Sequence, residues 1–195
     1  MNTNFENMSD QELLQIFKDK TDTSIKAFEE LYRRYSQTLY IYFYKFLKNS
    51  FFIKDLYQDL FIKIYQLGTE GKLDNVENFR GYVFRMAHNI ALNKIYADEK
   101  QQTYLEGYKE LMEEAYAGAE GSQDEKIEKL RNAIDQLPAH LKEILILREY
   151  NHMSYIEISQ VTEESMENVK IKIFRAKKKL KQILSGKSKK IRKMV

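Results

Sequence analysis

Apolar residues return at steps of three and four along most of this chain, and the stripes they form predict a succession of amphipathic helices. Ser9-Asp10-Gln11-Glu12 sets a carboxylate three positions after a hydroxyl, the reciprocal capping arrangement of a helix start, and Leu13, Leu14, Ile16 and Phe17 follow it. A long helix is expected from about Ile25 to Leu47, with Phe28, Leu31, Tyr35, Leu39, Tyr42 and Phe46 inward. A third runs from about Ile53 to Leu67 on Ile53, Leu56, Tyr57, Leu60, Phe61 and Ile64, and the turn-rich stretch GTEGKLDNVEN ends it. A fourth, from Phe79 to about Tyr96, buries Phe79, Val83, Met86, Ala87 and Ile90.

The periodicity then decays. The segment ADEKQQTYLEGYKELMEEAYAGAEGSQDE is polar and acidic and carries Gly107, Gly118 and Gly121. It offers too little apolar burial to offset the entropy of ordering it, and reads as a flexible linker with a transient helix around Tyr108 to Tyr116. Order restarts at Ser122-Gln123-Asp124-Glu125, a second capping box, and a helix follows to Leu137. Pro138 stops that helix and opens the next, through AHLKEILILREY. Ser154-Tyr155-Ile156-Glu157 is a third box, opening a short helix to about Val161; TEES is a turn, and Ser165 caps a last long helix. The fold expected is all-α: two small helical domains, 8–97 and 122–185, joined by a flexible acidic linker, 98–121, and followed by a basic tail, 186–195. No internal repeat is visible.

Composition narrows the function classes. One Pro and seven Gly in 195 residues suit a nearly all-helical chain, and a hydrophobic content of 43% is ample for a core. With no cysteine there is neither a disulfide framework nor a thiolate metal site. The first residues, MNTNFENMSDQELL, lack the basic and apolar regions of a secretion signal. The most apolar run, YIYFYKFL, is too short to span a bilayer, so a cytoplasmic protein without membrane insertion is expected. His88, His140 and His152 lie far apart without metal-ligand spacing, and no phosphate-binding glycine loop, dinucleotide turn or nucleophile elbow is present. No enzyme activity and no cofactor are expected.

Charge points elsewhere. The net charge of +3 hides a strong asymmetry: from Ser165 to Val195 there are twelve Lys or Arg and one acid, Glu167, so the rest of the chain is net acidic. A basic end on a near-neutral chain suggests a polyanion bound at one place. The last helix, NVKIKIFRAKKKLKQIL, carries Val169, Ile173, Ala176, Leu180 and Ile183 on one stripe and cations elsewhere. A short helix, a tight turn and a long basic helix form a helix-turn-helix, whose second helix enters the major groove. Lys170, Ile171, Lys172, Phe174 and Arg175 are then the candidates for base edges and phosphates, since Arg bridges guanine, Lys reaches the same atoms or a phosphate, and apolar groups meet thymine methyls. An ordinary helical hairpin with a solvated basic face is the plainer alternative.

The run MSYIEISQVTEESMENVKIKIFRAKKKL resembles the last domain of bacterial RNA polymerase sigma factors, in particular the two-domain extracytoplasmic-function group. Ser154, Tyr155, Glu157, Ile158, Val169, Lys170, Phe174, Arg175, Ala176, Lys178, Lys179 and Leu180 carry that resemblance without a gap. The first domain agrees independently, through IKDLYQDLFIKIYQ and NFRGYVFRMAHNIALNKIY. The resemblance implies a helix-turn-helix second domain of the winged-helix-like superfamily, with four helices, reading the minus-35 promoter element. It implies that the helix with Asp55, Gln58 and Asp59, which share one face, docks on core RNA polymerase. It also implies that Tyr82, Arg85, Asn89 and Asn93 face the melted minus-ten strand, Asn89 helping to hold a flipped base. Core RNA polymerase, promoter DNA and an anti-sigma factor are the partners it implies. Read from composition alone, the acidic face is more simply a solvated helix surface, and the polar face of the fourth helix is as compatible with a solvated surface as with a ligand.

Two departures from the family pattern stand out. Tyr82 and Asn93 replace the usual Trp and Asp. In the turn, Thr162, Glu163 and Glu164 stand where Leu, Gly and Ile are usual, so Glu163 is expected at positive φ and Glu164 at an inward-facing position. Two readings from other classes remain: a dimeric helix-turn-helix regulator outside the polymerase, which leaves the DLYQD helix without a role, and a basic amphipathic helix for a membrane or partner helix.

Overall fold

Ser9 opens the first helix as its sequence predicts: Ser9 Oγ accepts from the Glu12 N–H at 3.2 Å while Glu12 Oε2 accepts from the Ser9 N–H at 2.7 Å. The structure, a computed structural model, describes residues 4–17, 21–47, 52–104 and 125–186. A 3-10 turn at Phe5–Asn7 precedes eight α-helices among these residues: α1 Asp10–Phe17, α2 Asp22–Phe46, α3 Ile53–Thr69, α4 Phe79–Tyr104, α5 Glu125–Asp135, α6 Ala139–Glu149, α7 Tyr155–Thr162 and α8 Met166–Leu184. The described residues contain no strand. The rest of the expected linker from 105 on, the helix expected at Tyr108 to Tyr116, the box at Ser122 and the tail from 187 lie outside the described residues.

The predicted stripes form the core of the first half. Leu13, Leu14, Phe17, Leu31, Leu39, Tyr42, Phe46, Ile53, Leu60, Phe61, Ile64, Phe79, Val83 and Ala87 are buried, while Phe28, Tyr35, Leu56, Tyr57, Met86 and Ile90 pack on its edge. Asn78 caps α4, its Oδ1 accepting from the Gly81 N–H at 2.9 Å. This helix runs beyond the expected stop near Tyr96 to Tyr104, into the segment expected to be linker. The residues ADEKQQT are largely good helix formers, and the first glycine comes only at Gly107, so an established helix has no local reason to stop.

Two packing details carry stability. Gly68 lies under Phe17: a Cβ there would sit 2.0 Å from the Phe17 ring, which is stacked on Phe28 at 5.2 Å. Gly68→Ala should therefore cost about 1–3 kcal/mol through overpacking and lower the thermal midpoint by several degrees. Nearby, the buried carboxylate of Glu30 accepts from Arg33 Nε at 2.9 Å and Arg34 Nε at 2.7 Å. Arg34 also donates to the carbonyls of Phe5, Glu6 and Met8, tying the N-terminal turn to α2. The hydrogen bond from Arg33, with further help from Arg34, holds the Glu30 carboxyl below its ordinary value against the opposing effect of burial. A depressed carboxylate stabilises the fold fully above its unfolded value and loses that contribution as pH falls through the folded value. Acid titration of unfolding should therefore show a loss on going below about pH 4.5 that is smaller in Glu30→Gln.

The second half is built around α6. Leu141 through Leu147 are all buried, including Lys142 and Glu143. One side of α6 meets α8, where Ile134, Leu137, Leu141, Leu145 and Ala176 form a small cluster. Its other side meets α2, and Ile144, Ile146 and Leu147 belong to the same continuous core as Leu39, Tyr42, Phe43 and Phe84. A helix buried all round has no polar stripe to show, which explains the dense apolar run in AHLKEILILREY. The two halves expected to be separate domains thus pack directly together, through α2 on α6 and α4 on α7.

In the helix-turn-helix, the Ser154–Glu157 box closes as predicted, at 2.7 and 3.2 Å, and Ser165 Oγ accepts from the Asn168 N–H at 3.2 Å. Between them Glu163 adopts φ 56°, ψ 31°, the left-handed conformation that costs a non-glycine residue on the order of 1 kcal/mol. The inward position of Glu164 is accommodated by charge: Lys172 Nζ donates to its carboxylate at 2.5 Å.

Candidate nucleic-acid and polymerase interfaces

Helix α8 presents the clearest nucleic-acid face. Val169, Ile173 and Ala176 point into the core, which turns Lys170, Ile171, Phe174 and Arg175 outward on the N-terminal half of the helix. Phe174 is 67% exposed, far beyond what a core phenylalanine shows, and sits beside Arg175. Lys172 differs from the other candidates: it is half-buried and engaged with Glu164, so it braces the turn. The exposed group combines two cations with two apolar side chains, a set suited to phosphates, guanine edges and thymine methyls.

Helix α4 brings the second set together. Arg85, Asn89 and Asn93 recur every fourth residue and are exposed on one face, while Tyr82 is half-buried against the core. Arg85 is not solvated alone: its guanidinium donates to the Glu163 carboxylate of the left-handed turn. Around it run further contacts from α4 and α2 to the second half. Arg80 Nη1 donates to Glu157 Oε1 at 2.9 Å, and Asn78 Nδ2 donates to Gln160 Oε1 at 3.3 Å. His88 Nδ1 lies 2.6 Å from Glu143 Oε1, which also accepts from the Tyr42 hydroxyl at 2.5 Å. Burial first, and then the Glu143 charge, pushes the Tyr42 hydroxyl well above the ordinary phenol value, so it serves as a donor only. Asn151 Nδ2 donates to the Thr38 carbonyl at 3.1 Å, adding a backbone link between the halves. These pairs are 55 to 113 residues apart in sequence and carry no local signature.

Helix α3 shows a third face. Asp55, Gln58, Asp59 and Ile62 are exposed and follow one another at three- and four-residue steps. Gln58 and Ile62 also line a groove of about 670 Å³ between α2 and α3, walled by Phe28, Tyr32, Tyr57, Phe61 and Tyr65. Tyr57 donates to Tyr32 across it at 3.0 Å, and the rings of Tyr32 and Phe61 meet edge-on at 4.6 Å. The acidic rim carries negative charge, which disfavours a nucleic-acid backbone, and the groove beside it is aromatic. Sequence spacing gave the rim; the groove depends on how two helices pack and had no sequence signal.

Among the described residues no group of His, Asp and Glu could hold a metal ion, and no helix is long and apolar enough to cross a membrane.

The chain falls in the class of transcription-initiation proteins built from two sigma-factor regions. Residues 31–100 match the family described as Sigma-70 region 2, and residues 127–180 match Sigma-70, region 4. Over 165 residues the sequence is 30% identical to the RNA polymerase sigma factor YlaC of Bacillus subtilis, spanning 80% of this chain and 91% of that protein. It is 26% identical over 175 residues to the RNA polymerase sigma-H factor of Pseudomonas aeruginosa, spanning 82% and 86%. Two solved structures share the fold with a TM-score of 0.66. One is CnrH in complex with the cytosolic domain of CnrY, at 20% identity, covering 92% of this chain and 99% of that one. The other is the sigma factor RpoE with the anti-sigma factor NepR from Bartonella quintana, at 17% identity, covering 82% and 98%. The protein belongs to the sigma-70 family, in its extracytoplasmic-function group. It is a promoter-recognition factor that works with core RNA polymerase on promoter DNA; sigma factors are in general recognition subunits without catalysis of their own.

Proposed function

We propose that three faces divide the work of this sigma factor. Asp55, Gln58 and Asp59 on α3 dock on core RNA polymerase. Tyr82, Arg85, Asn89 and Asn93 on α4 take the melted minus-ten strand, ring against base and amide or guanidinium against base edge and phosphate. Lys170, Ile171, Phe174 and Arg175 on α8 read the minus-35 duplex, and Lys172 supports them by fixing the turn through Glu164. The observation that carries this reading is the exposed apolar-and-cationic row on α8 in a chain whose two halves match the two sigma regions in order. The chain has no chemistry of its own in this reading and acts in the cytoplasm, where polymerase and promoter are.

Both solved relatives are held by another protein, and in one the partner is an anti-sigma factor. An anti-sigma partner belongs to the proposal for this chain. The decisive experiment is co-purification with core RNA polymerase followed by promoter-directed run-off transcription. Stable association and initiation at defined start sites are expected. Duplex binding as a dimer without polymerase association would replace this reading with that of a free helix-turn-helix regulator.

A further inference from the structure

We propose that the cavity between Lys45 and Arg131 is a binding site for a small ring-bearing phosphate monoester, of mononucleotide size. The cavity holds about 400 Å³ and lies between the end of α2 and the start of α3 on one side and α5 and the end of α6 on the other. Leu47, Ile53 and Ile134 give it a buried apolar lining, and the exposed rings of Tyr44 and Tyr150 wall it. Its volume falls in the range of small-molecule sites, roughly 300–1,000 Å³, and exceeds what a bare phosphate fills.

Charge names the ligand. The one carboxylate lining the cavity, Asp135, is already engaged: the buried Lys142 Nζ donates to it at 2.6 Å. Lys45 and Arg131 form no ion pair with another described residue, so two positive charges stand uncompensated. The Lys45 ammonium lies instead over the rings of Tyr150 at 5.0 Å and Tyr44 at 5.7 Å. Burial first, and then repulsion from Arg131, lowers that ammonium from its ordinary value. An anion between the two cations relieves the repulsion. A phosphate monoester carries about −1.5 to −2 charges at neutral pH and so answers both cations, whereas a carboxylate or a backbone phosphodiester carries a single charge. Arg131 offers a planar fork and Lys45 a point charge, donors that suit phosphate oxygens. The space left beside them, walled by two rings and lined by aliphatic side chains, takes an aromatic ring. Both halves of the chain contribute walls, so an occupant adds to their contact and stabilises the folded protein by mass action.

Isothermal titration of the full chain at fixed ionic strength tests this, with adenosine 5′-monophosphate, adenosine, inorganic phosphate and a short mixed-sequence duplex as probes. The monophosphate should bind once per chain, at least about tenfold more tightly than adenosine or inorganic phosphate, because it uses charge and ring together. It should also raise the thermal midpoint. Arg131→Gln removes one cation from an exposed helix face, and circular dichroism checks its helix content. This variant should bind the monophosphate at least about tenfold more weakly and lose the thermal shift. Lys26→Gln makes the same charge change at the far end of α2 and should behave as wild type. Monophosphate binding no tighter than that of adenosine or phosphate, or equal losses in the two variants, would overturn the proposal. So would displacement of the monophosphate by the duplex together with weaker duplex binding in Arg131→Gln, since the site would then be a contact for the nucleic-acid backbone.

Discussion

Exchanging Asp55 and Asp59 together for lysine should reduce association with core RNA polymerase by at least about a hundredfold, because a desolvated like-charge contact in an interface costs several kcal/mol. The two carboxylates lie on one exposed face of α3, beside Gln58 and Ile62, and form no ion pair with another described residue. Their removal leaves the core untouched. The cost to folding should stay within about 1 kcal/mol, from lost helix-dipole complementarity at Asp55 and closer like charges around Lys54 and Lys63. Polymerase pull-down and thermal unfolding of the same preparation measure the two quantities, and duplex DNA binding through α8 serves as the control. A variant that unfolds, or one that binds polymerase normally, would remove the docking role from this face.

The two DNA-facing helices should fail differently. Arg175→Ala should cost about 1–3 kcal/mol, roughly tenfold to more than a hundredfold, on promoters that depend on the minus-35 duplex. Asn89→Ala should leave the closed promoter complex nearly intact and impair opening, since Asn89 is placed for an unpaired base. A pre-melted template removes the cost of strand separation and still presents the base that Asn89 would hold, so its rescue should be partial. Base substitutions at one minus-ten position should also lose their effect in Asn89→Ala. Run-off transcription with reconstituted holoenzyme on duplex and bubble templates reads all of this. Full wild-type base preference in Asn89→Ala would withdraw that residue from the site.

What could be read in the sequence was what depends on neighbours in sequence. The capping boxes at Ser9 and Ser154, the cap at Ser165 and the stripes of α2, α3 and α8 are set by three- and four-residue spacing, and they stand where expected. The positive φ of Glu163 was legible only through the resemblance, which puts Glu163 where the family has glycine; a glutamate itself gives no such signal. The reach of α4 to Tyr104 has no apolar stripe to announce it, because ADEKQQT continues the helix on propensity alone. His88 stands out in the sequence only for lacking metal-ligand spacing, yet it meets Glu143 across the junction. Lys172 read as one more cation on a DNA face, and its half-buried bond to Glu164 takes it out of the exposed set. Such pairs are created by the packing of distant helices, and nothing in the flanking residues announces them.

The all-round burial of α6 has a consequence for whatever separates the halves. Ile144, Ile146 and Leu147 meet Leu39, Tyr42 and Phe84 in a seam with no solvent-ready side. Parting that seam lays two greasy strips bare at once, and water would drive them onto each other, or onto another copy of the chain. A wedge that merely pulled would lose to that recoil. A partner that brought apolar cover of its own would therefore favour separation of the halves.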